Sequence, residues 1–122
     1  MTVFTSYFAK ASQIPSNIIP IAISLYQSAG TRMLKYPQLA PTRSILTAWK
    51  QNEDQKQYIR DFDLQVLAEL APQQVYEDLK VMSQGKDVAL ICYEGPSKFC
   101  HRHLVAKWLE DAGISVGGEI KF

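Results

Sequence analysis

The sequence predicts a three-layer α/β domain built on a mostly parallel sheet. Three observations carry this. Apolar runs too short for helices alternate with amphipathic segments at helical spacing; the connections are too long for hairpins; and the run at 88–93 has no polar alternation, the mark of a strand covered on both faces. The 122 residues suit a single domain, 1–122, and 47% apolar with 20% charged residues is an ordinary globular composition.

Residues 2–8, rich in β-branched and aromatic side chains, read as the first strand, and 9–17 as a loop or short helical turn. The aliphatic run 18–26 reads as the second strand, with Pro20 at its start or where its missing amide is not needed. Residues 27–41 form a long irregular segment, carrying Arg32, Lys35 and Tyr36, of a kind that is often functional. Thr42 caps a short helix over 43–50, and Asn52 opens a longer one whose apolar stripe is Ile59, Phe62, Val66, Leu67 and Leu70. Pro72 starts a third helix, buried through Val75, Tyr76, Leu79 and Met82, and Gly85 stops it. After the strand at 88–93 comes a helix over 100–112, ended by Gly113, and a last short strand from 114–116 and 119–122 interrupted by Gly117 and Gly118. The expected architecture is Rossmann-like.

A net charge of +1 supplies no strong field for nucleic acid or an anionic membrane surface. Two cysteines are too few for a disulfide scaffold. The start of the chain lacks the pattern of a secretory signal, and its longest apolar patch is far below the roughly 20 residues that span a bilayer. A cytoplasmic protein with no membrane partner and no cofactor is expected.

Chemistry concentrates between Cys92 and His103, where both cysteines, both histidines, Glu94 and Arg102 fall within twelve residues. Cys92 and Glu94 stand at the carboxyl end of a strand, where open α/β sheets bind ligands. On the following helix, Cys100 lies four residues before Leu104, and His101 four before Val105, so both project inward, while Arg102 flanks that face. His103 aligns with Lys107, Glu110 and Asp111 on the outer face and reads as solvated.

Four readings fit these residue types. The amides of the helix's first turn, with Arg102 and Lys98, suit a phosphate or carboxylate ligand, with Cys100 as nucleophile, His101 as its proton partner and Glu94 as an orienting carboxylate. The nine residues between Cys92 and Arg102 do not match the cysteine-to-arginine phosphatase loop. Cys92, Cys100 and His101, with Glu94, are alternatively zinc ligands, at a cost of roughly 5 kcal/mol for a unit charge about 6 Å from the dication. A reversible disulfide between Cys92 and Cys100 is a third reading. In the fourth the cluster is structural: buried thiols, a hydrogen-bonded histidine and an arginine paired with Glu94.

The stretches 90–94 and 99–103, with Trp108 and Leu109, closely resemble the C-terminal signature of the domain of unknown function 488 family. Phe4 to Ala9, Pro20 to Ser24, Leu39 to Thr42, and Tyr58 with Val66 and Leu67 extend the resemblance over nearly the whole chain. It implies a small three-layer α/β domain in which Cys92, Glu94, Cys100, His101 and Arg102 are the functional residues and Thr5, Ser6 and Tyr7 their neighbours. The ligand expected from an anion site is phosphate-bearing, a nucleotide or nucleic-acid end. The other class is a non-catalytic module binding protein or nucleic acid, in which the cluster only braces the turn.

Overall fold

A computed structural model describes residues 1–26, 33–93 and 99–122. Five strands form one parallel sheet: β1 (Val3–Tyr7), β2 (Ile18–Ala22), β3 (Leu34–Lys35), β4 (Asp87–Cys92) and β5 (Val116–Glu119), in the order β3-β2-β4-β1-β5. The helices are α1 (Arg43–Asn52), α2 (Gln55–Gln65), α3 (Pro72–Ser83) and α4 (His101–Asp111). Helical segments flank the sheet, as a three-layer α/β fold requires, and the two layers are unequal.

Strand alternation divides the core. Val3, Ile21, Ile23, Val88 and Leu90 lie on one face and share a cluster with Ile45 of α1, Phe62 of α2, Leu79 of α3 and Leu109 of α4. On the opposite face a 3-10 helix, Phe8–Gln13, follows β1, and its Phe8 ring packs against Tyr93 with centroids 4.9 Å apart. The chain thus leaves β1 beside one face and leaves β4 through α4 on the other. At the carboxyl ends of β1 and β4, Tyr7 and Cys92 are in register.

Several elements differ from the sequence reading. The second strand ends at Ala22, and Pro20 sits within it. It is tolerated because β3 pairs only with Ile21 and Ala22, leaving β2 an edge beside Pro20. β3 and a 3-10 turn, Pro37–Leu39, lie inside the segment expected to be irregular, whose Arg32 lies outside the described residues. Asp54, not Asn52, caps α2, accepting from the Gln57 amide at 3.1 Å, because α1 runs on to Asn52. Tyr58, four residues before the buried Phe62, faces inward, and Ile59 is exposed. β5 runs through both glycines: a Cβ on Gly117 would stand 2.3 Å from the Phe4 ring, so the ring lies over a backbone that has no room for a side chain. Thr42 caps α1, accepting from the Ile45 amide, and Pro72 opens α3, as expected. No helix among the described residues is long and apolar enough to cross a membrane.

Truncating Leu109, fully buried between α4 and the sheet, to alanine is expected to cost about 2–5 kcal/mol. Leu64→Ala on the exposed side of α2 should stay within about 0.5 kcal/mol. Denaturant midpoints of the two variants check the assignment of the core face; equal losses would contradict it.

Candidate functional site

The site is assembled around the first turn of α4. Cys100 is the extended residue before that helix, and His101 and Arg102 open it, all three buried. Arg102 is fully buried, and all three of its guanidinium nitrogens have partners. Nε donates to Glu119 Oε1 at 3.0 Å, Nη2 to Glu119 Oε2 at 2.9 Å, and Nη1 to Cys92 Sγ at 3.0 Å, while the Tyr7 ring lies 5.8 Å from the guanidinium carbon. Thr5 Oγ1 donates to the same Glu119 Oε1 at 2.6 Å. Burial works to raise the Glu119 carboxyl, but the hydrogen bonds from Arg102 and Thr5 and the guanidinium charge prevail, and it ionises below the usual carboxylate range.

Cys92 and Cys100 are joined as a disulfide, with Cα atoms 7.3 Å apart. His101 Nε2 lies 2.7 Å from the Ile23 carbonyl oxygen, and Nδ1 lies 3.6 Å from Cys100 Sγ. A carbonyl oxygen only accepts, so Nε2 carries the proton and the Nδ1 lone pair faces the sulfur. Burial pushes the His101 pKa down to about 4; the Ile23 hydrogen bond opposes this, and the charges of Arg102 and His103 add to it. His101 is therefore neutral at pH 7, a base beside Cys100. One ligand atom from each of Cys92, Cys100 and His101 lies within 4.8 Å of the others, a buried set that can hold a soft metal once the sulfurs are reduced.

Cys92, Cys100, His101 and Arg102 converge, with Thr5 and Tyr7 beside them; His101 faces inward as expected, but α4 starts at His101 rather than at 100, so Cys100 precedes the helix, and Arg102, expected to flank the inward face, is fully buried. Ser6 points to the opposite face of β1, and its buried hydroxyl has no hydrogen-bond partner among the described residues. Glu94 and Lys98 lie outside the described residues. His103 is partly buried rather than fully solvated, and its pKa falls through burial and then the Arg102 charge. Sequence reasoning missed Glu119, which reaches Arg102 only because β5 pairs with β1; a strand of two glycines gave no signal for that. It also missed the Ile23 carbonyl, since backbone groups carry no sequence signature.

A cavity of about 120 Å³ opens on the sulfurs and His101. Trp49 and Tyr58 form one wall with Phe99, their ring centroids 5.0–5.7 Å apart, and Leu25, Tyr26 and Tyr93 stand exposed at its rim. Its described lining contains no charged side chain, since Arg102 is turned to Glu119.

Among comparisons with known proteins, the family model DUF488-N3a, described as the active DUF488-N3 subclade, matches residues 15–113. No curated protein and no solved structure matches the chain.

Two outcomes follow from this geometry. A histidine whose folded pKa lies below its unfolded value of 6.5 stabilises fully above pH 6.5, and this stability is lost as pH falls toward 4. Wild type is expected to lose about 3 kcal/mol over that window that His101→Gln does not, read from denaturant midpoints against pH. Glu119→Ala strands a buried guanidinium and should cost about 3 kcal/mol or more. Adding Arg102→Met to that variant should recover part of the loss; a purely additive second loss would show that the pair is not coupled.

Proposed function

The chain belongs to the DUF488 family, and from that premise we propose that it carries a thiol-based catalytic site in which Cys100 is the nucleophile, His101 its base and Cys92 the partner thiol. The supporting observation is the orientation of His101: its Nε2–H is committed to the Ile23 carbonyl, which leaves Nδ1 facing Cys100 Sγ at 3.6 Å. The matched model's description of its subclade as active accords with a reacting site.

In the reduced protein the Cys100 thiol donates to Nδ1. As the sulfur attacks one sulfur of a disulfide substrate, its proton passes to Nδ1, and the imidazolium returns it to the departing thiolate, leaving a mixed disulfide on Cys100. Arg102 Nη1 favours the thiolate of Cys92, which can then attack a sulfur bound to Cys100, releasing the second thiol and forming the Cys92–Cys100 disulfide seen here. Arg102 serves the sulfur and Glu119, so the phosphate-anchoring role expected from the sequence is not part of this reading.

The experiment is alkylation of the reduced protein by iodoacetamide across pH. Cys100 is expected to react at neutral pH at least about tenfold faster than free cysteine, with Cys100→Ser abolishing the fast phase and His101→Gln slowing it by about a hundredfold. A Cys100 no faster than free cysteine overturns the proposal and leaves a structural cluster within a binding module.

The convergence of Cys92, Cys100 and His101 supports a second reading, a zinc site whose fourth position faces the cavity. The Nε2–H bond to Ile23 is the outer contact that orients a ligating histidine. Zinc at a hundred times its dissociation constant would add about 2.7 kcal/mol to the reduced protein. Unchanged thermal stability of the reduced protein with zinc excludes this second reading.

A further inference from the structure

We propose that the cavity over the sulfurs selects an uncharged six-membered aromatic ring, of pyridine or pyrimidine size, that accepts a hydrogen bond from Tyr58. The inference rests on the thiol reading for what happens to that ring, but its binding stands on the cavity alone. Three observations carry it. The volume, about 120 Å³, is comparable to the ~150 Å³ of a cavity that takes up benzene, the size of one ring. Trp49, Tyr58 and Phe99 supply aromatic faces and edges along one wall, against which a flat ring packs better than an alkyl chain.

The third observation gives the polarity. Tyr58 is 6% exposed and lines the cavity, and its hydroxyl has no hydrogen-bond partner among the described residues. Burial holds the phenol protonated far above neutral pH. That hydroxyl is free to donate to a ligand, and a ring nitrogen or ring carbonyl is the acceptor that a flat ligand carries. No charged side chain is among the described lining residues, which favours an uncharged ring. Leu25, Tyr26 and Tyr93 account for three of the large apolar side chains left exposed, and their position at the rim suits entry of an apolar group.

Dithiodipyridine tests both parts, because each half is such a ring and carries sulfur. Cys100 attacks one sulfur and expels one pyridinethiolate, which takes a proton from His101. Cys92 then attacks the mixed disulfide and expels the second, leaving the protein disulfide and two pyridinethiols in all. Rates for the reduced protein are divided by those of free cysteine, which removes the intrinsic difference between reagents. The ratio is expected to exceed that for bis(hydroxyethyl) disulfide by about tenfold or more and to saturate with reagent concentration. A second arm uses the oxidised protein, where no thiol can react: 4-methylpyridine should shift the Trp49 indole resonance saturably. Tyr58→Phe should weaken that binding by about 2–10-fold while leaving toluene binding unchanged. Leu46→Trp, which enlarges a side chain lining the same cavity, should abolish both.

Equal normalised rates for aromatic and aliphatic disulfides, with no saturable shift in the oxidised protein, would overturn the ring proposal while leaving the thiol reading intact. A saturable shift with no thiol reaction faster than free cysteine would uphold the ring site and sink the thiol reading. Binding that Tyr58→Phe leaves unchanged would remove the hydrogen bond from the proposal and overturn it in the form stated.

Discussion

The architecture of the site depends on one buried cation. Arg102 enters the protein interior from the first turn of α4 and is neutralised there by Glu119 through a two-point contact. The same guanidinium reaches Cys92 at the end of β4 and lies over Tyr7 at the end of β1. One side chain thereby ties a helix start to three adjacent strands. A buried ion pair adds little net stability over an apolar replacement, but removing one partner is costly, so the pair fixes geometry more than it strengthens the fold.

That geometry matters because it separates two tasks. The charge is spent on Glu119 and on the Cys92 sulfur, out of the cavity, and the cavity is left neutral and aromatic. Cys100 faces a neutral imidazole, which in the proposed reaction takes its proton, whereas Cys92 faces a cation, which favours its thiolate. Burial serves both: it depresses the His101 pKa to about 4 and strengthens the hydrogen bond between guanidinium and sulfur. The two sulfurs stand at the carboxyl end of β4 and just before α4, where the cavity opens.

Much of this was legible in the sequence. The unbroken apolar strand 88–93, the helix after it and the inward phase of His101 follow from periodicity, because a buried parallel strand and a helix face leave strong local patterns; Cys100 is extended, before the helix, where periodicity does not place it. The partners did not follow. Glu119 sits beyond two glycines in a strand whose place is set by pairing with β1, a contact more than a hundred residues distant in sequence. On α2 the expected stripe holds at Phe62, Val66 and Leu67, but the inward position before them is taken by Tyr58, four residues before Phe62, rather than by Ile59, three before it. Caps and periodicity are local; the wall of the cavity is made by three segments that meet only in the folded chain.

The most direct measurement is the tautomer of His101 in the reduced protein at pH 7, read from its nitrogen chemical shifts and long-range nitrogen–proton correlations. A neutral ring protonated on Nε2, with an unprotonated Nδ1 whose shift changes in Cys100→Ser, is the expected result. A proton on Nδ1, or an imidazolium at pH 7, would contradict a base aimed at the Cys100 sulfur.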